Sequence, residues 1–487
     1  MSSSESEAFE SYADSDSEAF GSGSETDWLD PPEIRSDMDR MRCNDQSLTE
    51  VLISDWVGDE TIERLDALKN STSVKELTII FDTERTPDQL SQAAFLKLSE
   101  VMKCNKSVES FTVYLRRGLL RERFLSTIAT SGGWSSIQEM ALIIGNGDDI
   151  EPLSLTGEHL SSFIIQSENL RTLTLEITGE EAVPIVETLS RTKVQSLRLD
   201  FLSPCTLQNG RRRLGTALER CSCITDLRLD FPGRNYQVEF FQILFVESIP
   251  KMLGLKKLEI SVQFPVDQGF FDMMGQCIGG HQGEIEELRL TFHCTPANSS
   301  SIVGLASALS RLKVIRFDGL AALRSQQISE LSSVAAECDA LEEFGYNPRA
   351  MESTAFKAIC QLLSKFSSLK RVSNFHKTYE VDLHEESRFV AFLEMIKTSK
   401  TIEHVNDCQC RSAEEAAAIE YHCQNNMIHN QIRENGLLAA TVPSSAWPLI
   451  LNEVSDMPDV LYYLLQQKHG AMLGPTHQGC KRKHNGL

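Results

Sequence analysis

The chain has 487 residues, 41% of them hydrophobic, and 69 acidic against 47 basic side chains give it a formal net charge of -22. That apolar content can bury a large core, whereas the acidic balance argues against binding to nucleic acid or anionic membrane surfaces, which rests on clustered Lys and Arg. No run approaches the roughly 18 apolar residues of a membrane helix, and the acidic opening MSSSESEAFE lacks the basic-then-apolar order of a secretory signal, so a soluble protein of the cytoplasm, or else of the nucleus, is expected.

Residues 1–45 read as a disordered, acidic, Ser-rich leader in which SESEAF from Ser4 and SDSEAF from Ser15 repeat each other. Too few apolar residues occur there for a core, and about -10 of the charge is concentrated in it. Ser4, Ser15 and Ser24 each have an acid three residues on, the pattern of an acidophilic kinase site, and the simpler reading is a solubilising tail. Residues 46–73 follow as an amino-terminal cap, with Leu48, Val51, Leu52, Trp56, Leu65 and Leu68 covering the open edge of whatever comes next.

What comes next is a repeat. VQSLRLDF at Val194–Phe201 returns as ITDLRLDF at Ile224–Phe231 and as IEELRLTF at Ile285–Phe292. Its first apolar position can be followed through Val74, Val108, Ile137, Leu170, Val194, Ile224, Leu255, Ile285, Leu312, Leu341, Leu369 and Ile402, twelve copies in all, at a mean period of about 30 residues. Alternation of Leu197, Leu199 and Phe201 with polar neighbours predicts a half-buried strand. AAFLKLSEVM after Thr86, EEAVPIVETLS after Thr178, VEFFQILFVESI after Gln237 and STAFKAICQLLSKF after Glu352 have the three- and four-residue spacing of amphipathic helices. One strand and one helix per period leave a parallel sheet as the economical arrangement. A single copy could not stand alone: each inward strand side chain contributes about 1.5 to 3 kcal/mol on burial, against about 1 to 2 kcal/mol per ordered residue. The array must therefore be long and capped at both ends.

The unit apolar-x-x-L-x-L resembles the strand part of a leucine-rich repeat, and its period is similar to that of the ribonuclease-inhibitor-like class. The resemblance implies an α/β solenoid with a parallel sheet on the concave face, helices on the convex face, about twelve repeats over residues 74–411, and helical caps. The chain departs from the family at the ninth position, where many members have Asn or Cys: here stand Asp82, Arg116, Gly145, Thr178, Leu202, Pro232, Gln263 and His293. The eighth position instead holds a third large inward residue in Phe81, Leu115, Ile144, Ile177, Phe201, Phe231, Val262 and Phe292.

The last units retain the spacing but lose the leucines. Residues 412–473 then read as a helical carboxy-terminal cap: a capping box of Ser412 and Glu415 starts a helix to about Glu434, Trp447, Ile450, Leu451 and Val454 share a second helical face, and Asp456 caps a third. Residues 474–487 are a flexible basic tail. IRENG, PSSAWPLIL and DVLYYLL in this region resemble the carboxy-terminal end of a group of microalgal leucine-rich repeat proteins that have no assigned activity.

No phosphate-binding loop or HExxH stands among the motifs, so no catalytic residues, no cofactor and no enzymatic activity are expected. Cys408, Cys410, His422 and Cys423 could be imagined as a zinc set, but their C-x-C spacing is short for two ligands, and they read better as unrelated thiols. Strand parity places one further set of residues together. Outward positions beside the second inward leucine form a column of Thr78, Thr112, Ala141, Thr174, Arg198, Arg228, Glu259, Arg289, Arg316, Gly345, Ser373 and Asn406, with Glu176, Asp200, Asp230 and Asp318 in the next. Arg198, Arg228, Arg289 and Arg316, with Asp200, Asp230 and Asp318, are thus the candidate partner-binding residues. They either pair only with one another or present arginine forks to a partner's carboxylates. The expected function is a monomeric, non-enzymatic scaffold that binds a protein along its concave face. The alternatives are activation of a small GTPase, which rests on fold analogy alone, and substrate reception for a ubiquitin ligase, which would need an F-box-like helical adaptor before the repeats, where residues 27–73 have the length but no Leu-Pro opening.

Overall fold

The computed structural model describes residues 36–434 except 55–57, 82–91, 116–117, 145–155, 204, 206, 233–237, 295–300, 307, 320–322, 324, 349–352, 374–385 and 407–411. Thirteen strands lie side by side, in chain order, in one sheet. They are β1 Glu50–Ile53, β2 Glu76–Phe81, β3 Ser110–Leu115, β4 Glu139–Ile144, β5 Thr172–Thr178, β6 Ser196–Ser203, β7 Asp226–Phe231, β8 Lys257–Val262, β9 Glu287–Phe292, β10 Val314–Gly319, β11 Glu343–Pro348, β12 Arg371–Ser373 and β13 His404–Val405. Every neighbouring pair is parallel, and helices fill the crossovers. The chain is an α/β leucine-rich repeat solenoid.

The register comes from the repeat itself. At the start of each unit two successive backbone N–H groups donate to one carbonyl of the preceding unit: Lys75 and Glu76 to Thr49 O at 2.7 and 3.0 Å, Gln195 and Ser196 to Arg171 O at 2.8 and 3.0 Å, Lys370 and Arg371 to Glu342 O at 2.8 and 2.9 Å. Equal strand starts force side chains of equal parity into rows across the sheet. Inward go Leu197, Leu199 and Phe201, as do Leu77, Ile79 and Phe81 on β2 and Leu227, Leu229 and Phe231 on β7, all buried. The eighth-position residues make an aromatic spine on this side, where Phe201 stacks on Phe231 at 5.5 Å between ring centres and Phe231 meets Phe241 edge-on at 5.2 Å. Such ring pairs contribute about 0.5 to 1.5 kcal/mol each beyond their buried area.

Three local outcomes differ from a plain reading of the pattern. The first is that the region expected as an amino-terminal cap contributes a strand, since Val51 and Ile53 turn inward around exposed Leu52 and pair with Leu77 and Ile79 of β2. The described chain already begins at Ser36, ahead of the expected boundary near 45; Ser36 caps a helix, Asp37–Arg42, whose Met41 is buried. Second, the helix expected over VEFFQILFVESI is α-helical only at Val238–Phe241, continues as a π-helix at Gln242–Ser248 and ends as a 3-10 turn at Ile249–Lys251. The wider winding stacks Phe241 on Phe245 at 5.7 Å and sets Ser248 and Ile243 close to Gly215, where a Cβ would lie 2.4 Å from Ser248 Oγ. Third, the missing ninth-position ladder has a substitute in β5: Thr178 ends the strand and caps the helix Gly179–Leu189, accepting from Glu181 N while the Glu181 carboxylate accepts from Thr178 N at 3.0 Å.

The helix Ala413–Glu434 covers the last repeat, its start marked by Glu415 N donating to Ser412 Oγ at 3.2 Å. Asn426 donates from its amide to Ile396 O and Ile402 O at 3.0 and 2.9 Å, and Asn430 to Thr401 O and Glu403 Oε1 at 3.2 and 2.9 Å. The same device appears at the other end, where Asn105 donates to Leu68 O and Ser71 O at 2.7 and 3.1 Å. Trp56, Trp447, Ile450, Leu451, Val454 and Asp456, and the whole of residues 1–35 and 435–487, lie outside the described residues. No helix among the described residues is long and apolar enough to cross a membrane.

Candidate concave interface

The outward face of the sheet contains the residues singled out above in the rows expected of them. Thr78, Thr112, Ala141, Thr174, Arg198, Arg228, Glu259, Arg289, Arg316, Gly345 and Ser373 are direct register partners across β2–β12. Glu176, Asp200 and Asp230 are consecutive partners in the next row, followed by Ser261, Thr291 and Asp318.

From β6 onward this face is a lattice of ion pairs. Arg198 bridges Asp200 at 2.9 Å and Asp230 at 3.1 Å; Arg228 bridges Asp230 at 2.9 Å and Glu259 at 2.8 Å. Arg289 reaches Asp318 at 2.6 Å and Glu259 at 3.8 Å, and Arg316 reaches Glu343 at 2.8 Å and Glu287 at 3.4 Å. Arg371 and Ser373 continue it onto Glu343, at 3.5 and 2.8 Å. The carboxylates lie beneath and the guanidinium groups above: the Glu259 and Glu343 side chains are 7% and 5% exposed, those of Arg198 and Arg228 are 38% and 32% exposed. Gly345 makes this layering possible at β11, because a Cβ there would stand 2.7 Å from Arg316 Cγ and 3.0 Å from Ser373 Oγ.

Two carboxylates of the lattice adjoin. Burial, followed by the neighbouring Asp230 carboxyl, pushes Asp200 up to about 7. Burial also works against the charge of Asp230, but hydrogen bonds from Asp200 and Arg228 outweigh it and leave this group below the ordinary carboxylate range. Like charges this close cannot both ionise freely, so the proton stays with Asp200.

Strand parity thus brought together all seven candidates, Arg198, Asp200, Arg228, Asp230, Arg289, Arg316 and Asp318. It missed Glu287 and Glu343, which occupy the first outward position of their strands. Glu259 stood in the arginine column without being selected, although a lone acid among four arginines signals a shared counter-ion. Around the fold the buried thiols of Cys205 and Cys221 are pushed up to about 12 by burial, and no group of His, Cys, Asp or Glu suited to a metal ion occurs among the described residues; Cys408 and Cys410 lie outside them.

No family model matches the chain, and no curated protein matches it. Solved structures do. LegL7, a leucine-rich repeat-containing protein from Legionella pneumophila, is similar at 11% identity over 66% of this chain and 89% of that one, with a TM-score of 0.38. The Rad7 and Elc1 complex of yeast is similar at 14% identity over 66% and 76%, TM-score 0.32. A TLR13–ssRNA13 complex is similar at 13% identity over 74% of this chain, which spans only 40% of that one, TM-score 0.31.

Proposed function

We propose that the protein is a non-enzymatic scaffold that binds a protein partner along its concave face, with Arg198, Arg228, Arg289 and Arg316 as the anchors. The observation that supports this is the layering of charge. Each of these arginines rests on carboxylates of its own or adjoining strands while its side chain remains about a third exposed. A guanidinium has five N–H donors, more than the lattice uses, and one already held in place loses little rotamer freedom when a partner's carboxylate docks on it. Asp200, Asp230 and Asp318 then act as supports that orient the forks.

The matching experiment separates charge from fork geometry. Arg198→Lys combined with Arg228→Lys retains a cation over each buried carboxylate but cannot offer a planar pair of donors. Capture of the partner from the protein's own cell extract, quantified against the unaltered chain, should fall about tenfold, with the melting temperature moved by only a few degrees. Equal capture by the double variant would remove the arginine row from the interface. Stimulated GTP hydrolysis across a panel of small GTPases, or co-capture of a cullin adaptor, would point instead to one of the two regulatory alternatives.

A further inference from the structure

The other end of the concave face has different chemistry. On β2, β3 and β4 the outward row nearest the strand ends is Ile80, Tyr114 and Ile143, consecutive register partners that are each half-buried. Beside it run Thr78, Thr112 and Ala141, and on the edge strand Leu52, opposite Thr78, is 53% exposed. The Tyr114 hydroxyl has no hydrogen bond among the described residues. The row at the strand starts contains Glu50, Glu76 and Glu139, the first two direct register partners and the third two strands beyond Glu76, with Ser110 between them. All three are exposed, and none has an ion pair among the described residues. No outward position of β1–β5 carries Lys or Arg.

We propose that this surface, Leu52, Ile80, Tyr114 and Ile143 flanked by Glu50, Glu76 and Glu139, docks a basic segment of a partner protein that inserts an apolar anchor. It rests on the reading of the concave face as the binding face and specifies a partner chemistry opposite to that of the arginine half. Charge complementarity decides the occupant. The carboxylates among the arginines are paired within the chain, whereas these three, aligned on one side of an apolar row, have no cation facing them among the described residues. Four residues along a strand separate Glu76 from Ile80, about 13 Å, so a lysine or arginine stem can lie across the threonine row while an apolar side chain reaches Tyr114. Tyr is favoured at such anchor points because it combines large apolar area with a polar tip.

The test uses the intact protein and three fluorescein-labelled synthetic dodecapeptides, one alternating Lys and Leu, one Glu and Leu, one Lys and Ser. The Lys and Leu peptide should bind about tenfold more tightly than either of the others, because it alone satisfies both the carboxylates and the apolar row. Glu76→Gln with Glu139→Gln, and separately Tyr114→Ser, should each weaken it about tenfold, with melting temperatures within a few degrees of the unaltered chain. Arg198→Lys with Arg228→Lys should leave it unchanged, so that failure of the arginine interface and failure of this surface are read separately. Comparable binding of the Glu and Leu peptide, comparable binding of the Lys and Ser peptide, or indifference to both sets of substitutions would overturn the proposal. So would tighter binding after removal of residues 474–487, which would assign the surface to Lys481, Arg482 and Lys483 of the chain's own tail.

Discussion

The two halves of the concave face share one backbone and one register but differ in where their energy is committed. On β6–β12 the arginines and carboxylates have spent their attraction on one another, with Glu259, Glu343 and Asp318 sealed beneath guanidinium groups. On β1–β5 hydroxyls, aliphatics and Tyr114 face outward without such commitments. The comparison teaches that the conspicuous charges of a repeat surface are the part most bound up with folding, and the plain half is where substitution touches the fold least. Breaking a buried pair leaves an uncompensated charge, at a cost well above the pair's net contribution, whereas exchange of a half-exposed threonine alters little.

The largest difference between the halves should come from Arg316→Met. It strips buried Glu343 of two hydrogen bonds, from Nε at 3.0 Å and NH2 at 2.8 Å, and should destabilise the protein by about 3 kcal/mol, read as a lower urea midpoint. Gly345→Ala comes next. Its Cβ, 2.7 Å from Arg316 Cγ, would lift the arginine off its carboxylate, and a loss of about 1 to 2 kcal/mol is expected, although Ala141 fills the same row without such a neighbour on the plain half.

A smaller effect depends on pH. Asp200 releases its proton near 7 in the fold against 3.8 for the free group. Between these values the folded state holds more protons than the unfolded one, so this group makes stability fall as pH rises, levelling off above about 7. Asp230, shifted downward, acts in the opposite sense and only in the more acid range. Asp200→Asn retains an acceptor for Arg198 and should flatten the slope between pH 4 and 7. It should also raise stability at pH 8 by about 1 kcal/mol, measured by thermal melting at several pH values. Thr112→Val, on the plain half, should stay within about 0.5 kcal/mol of the unaltered chain by the same measurement; a loss comparable to that of Arg316→Met would erase the distinction between the halves.

The period and parity of the repeat were legible because they are local. Leu197, Leu199 and Phe201 declare an inward face within eight residues, and equal strand starts, set by backbone hydrogen bonds from each unit to the one before, carry that parity across the sheet. The arginine column followed directly. Strand β1 was not legible, since four residues, Glu50–Ile53, are too few for alternation to stand out, and the pairing on β2 that makes them a strand lies in the next unit. The π-helix at Gln242–Ser248 was equally hidden: its apolar spacing suits an α-helix, and the neighbour it packs on, Gly215, lies in the preceding unit.

By itself, then, the order of residues determined the solenoid, its direction and the side of the sheet on which each strand residue stands, because these depend on alternation and on a repeat length of about thirty. Tertiary structure decided which charges are spoken for. Arg316 meets Glu343 across 27 residues and Arg289 meets Asp318 across 29, and whether a carboxylate lies beneath a guanidinium or beside it depends on the space a neighbour such as Gly345 leaves. The exposed carboxylates Glu50, Glu76 and Glu139 look no different in sequence from Glu287 and Glu343. Only the strands stacked on either side supply a cation to one set and not to the other.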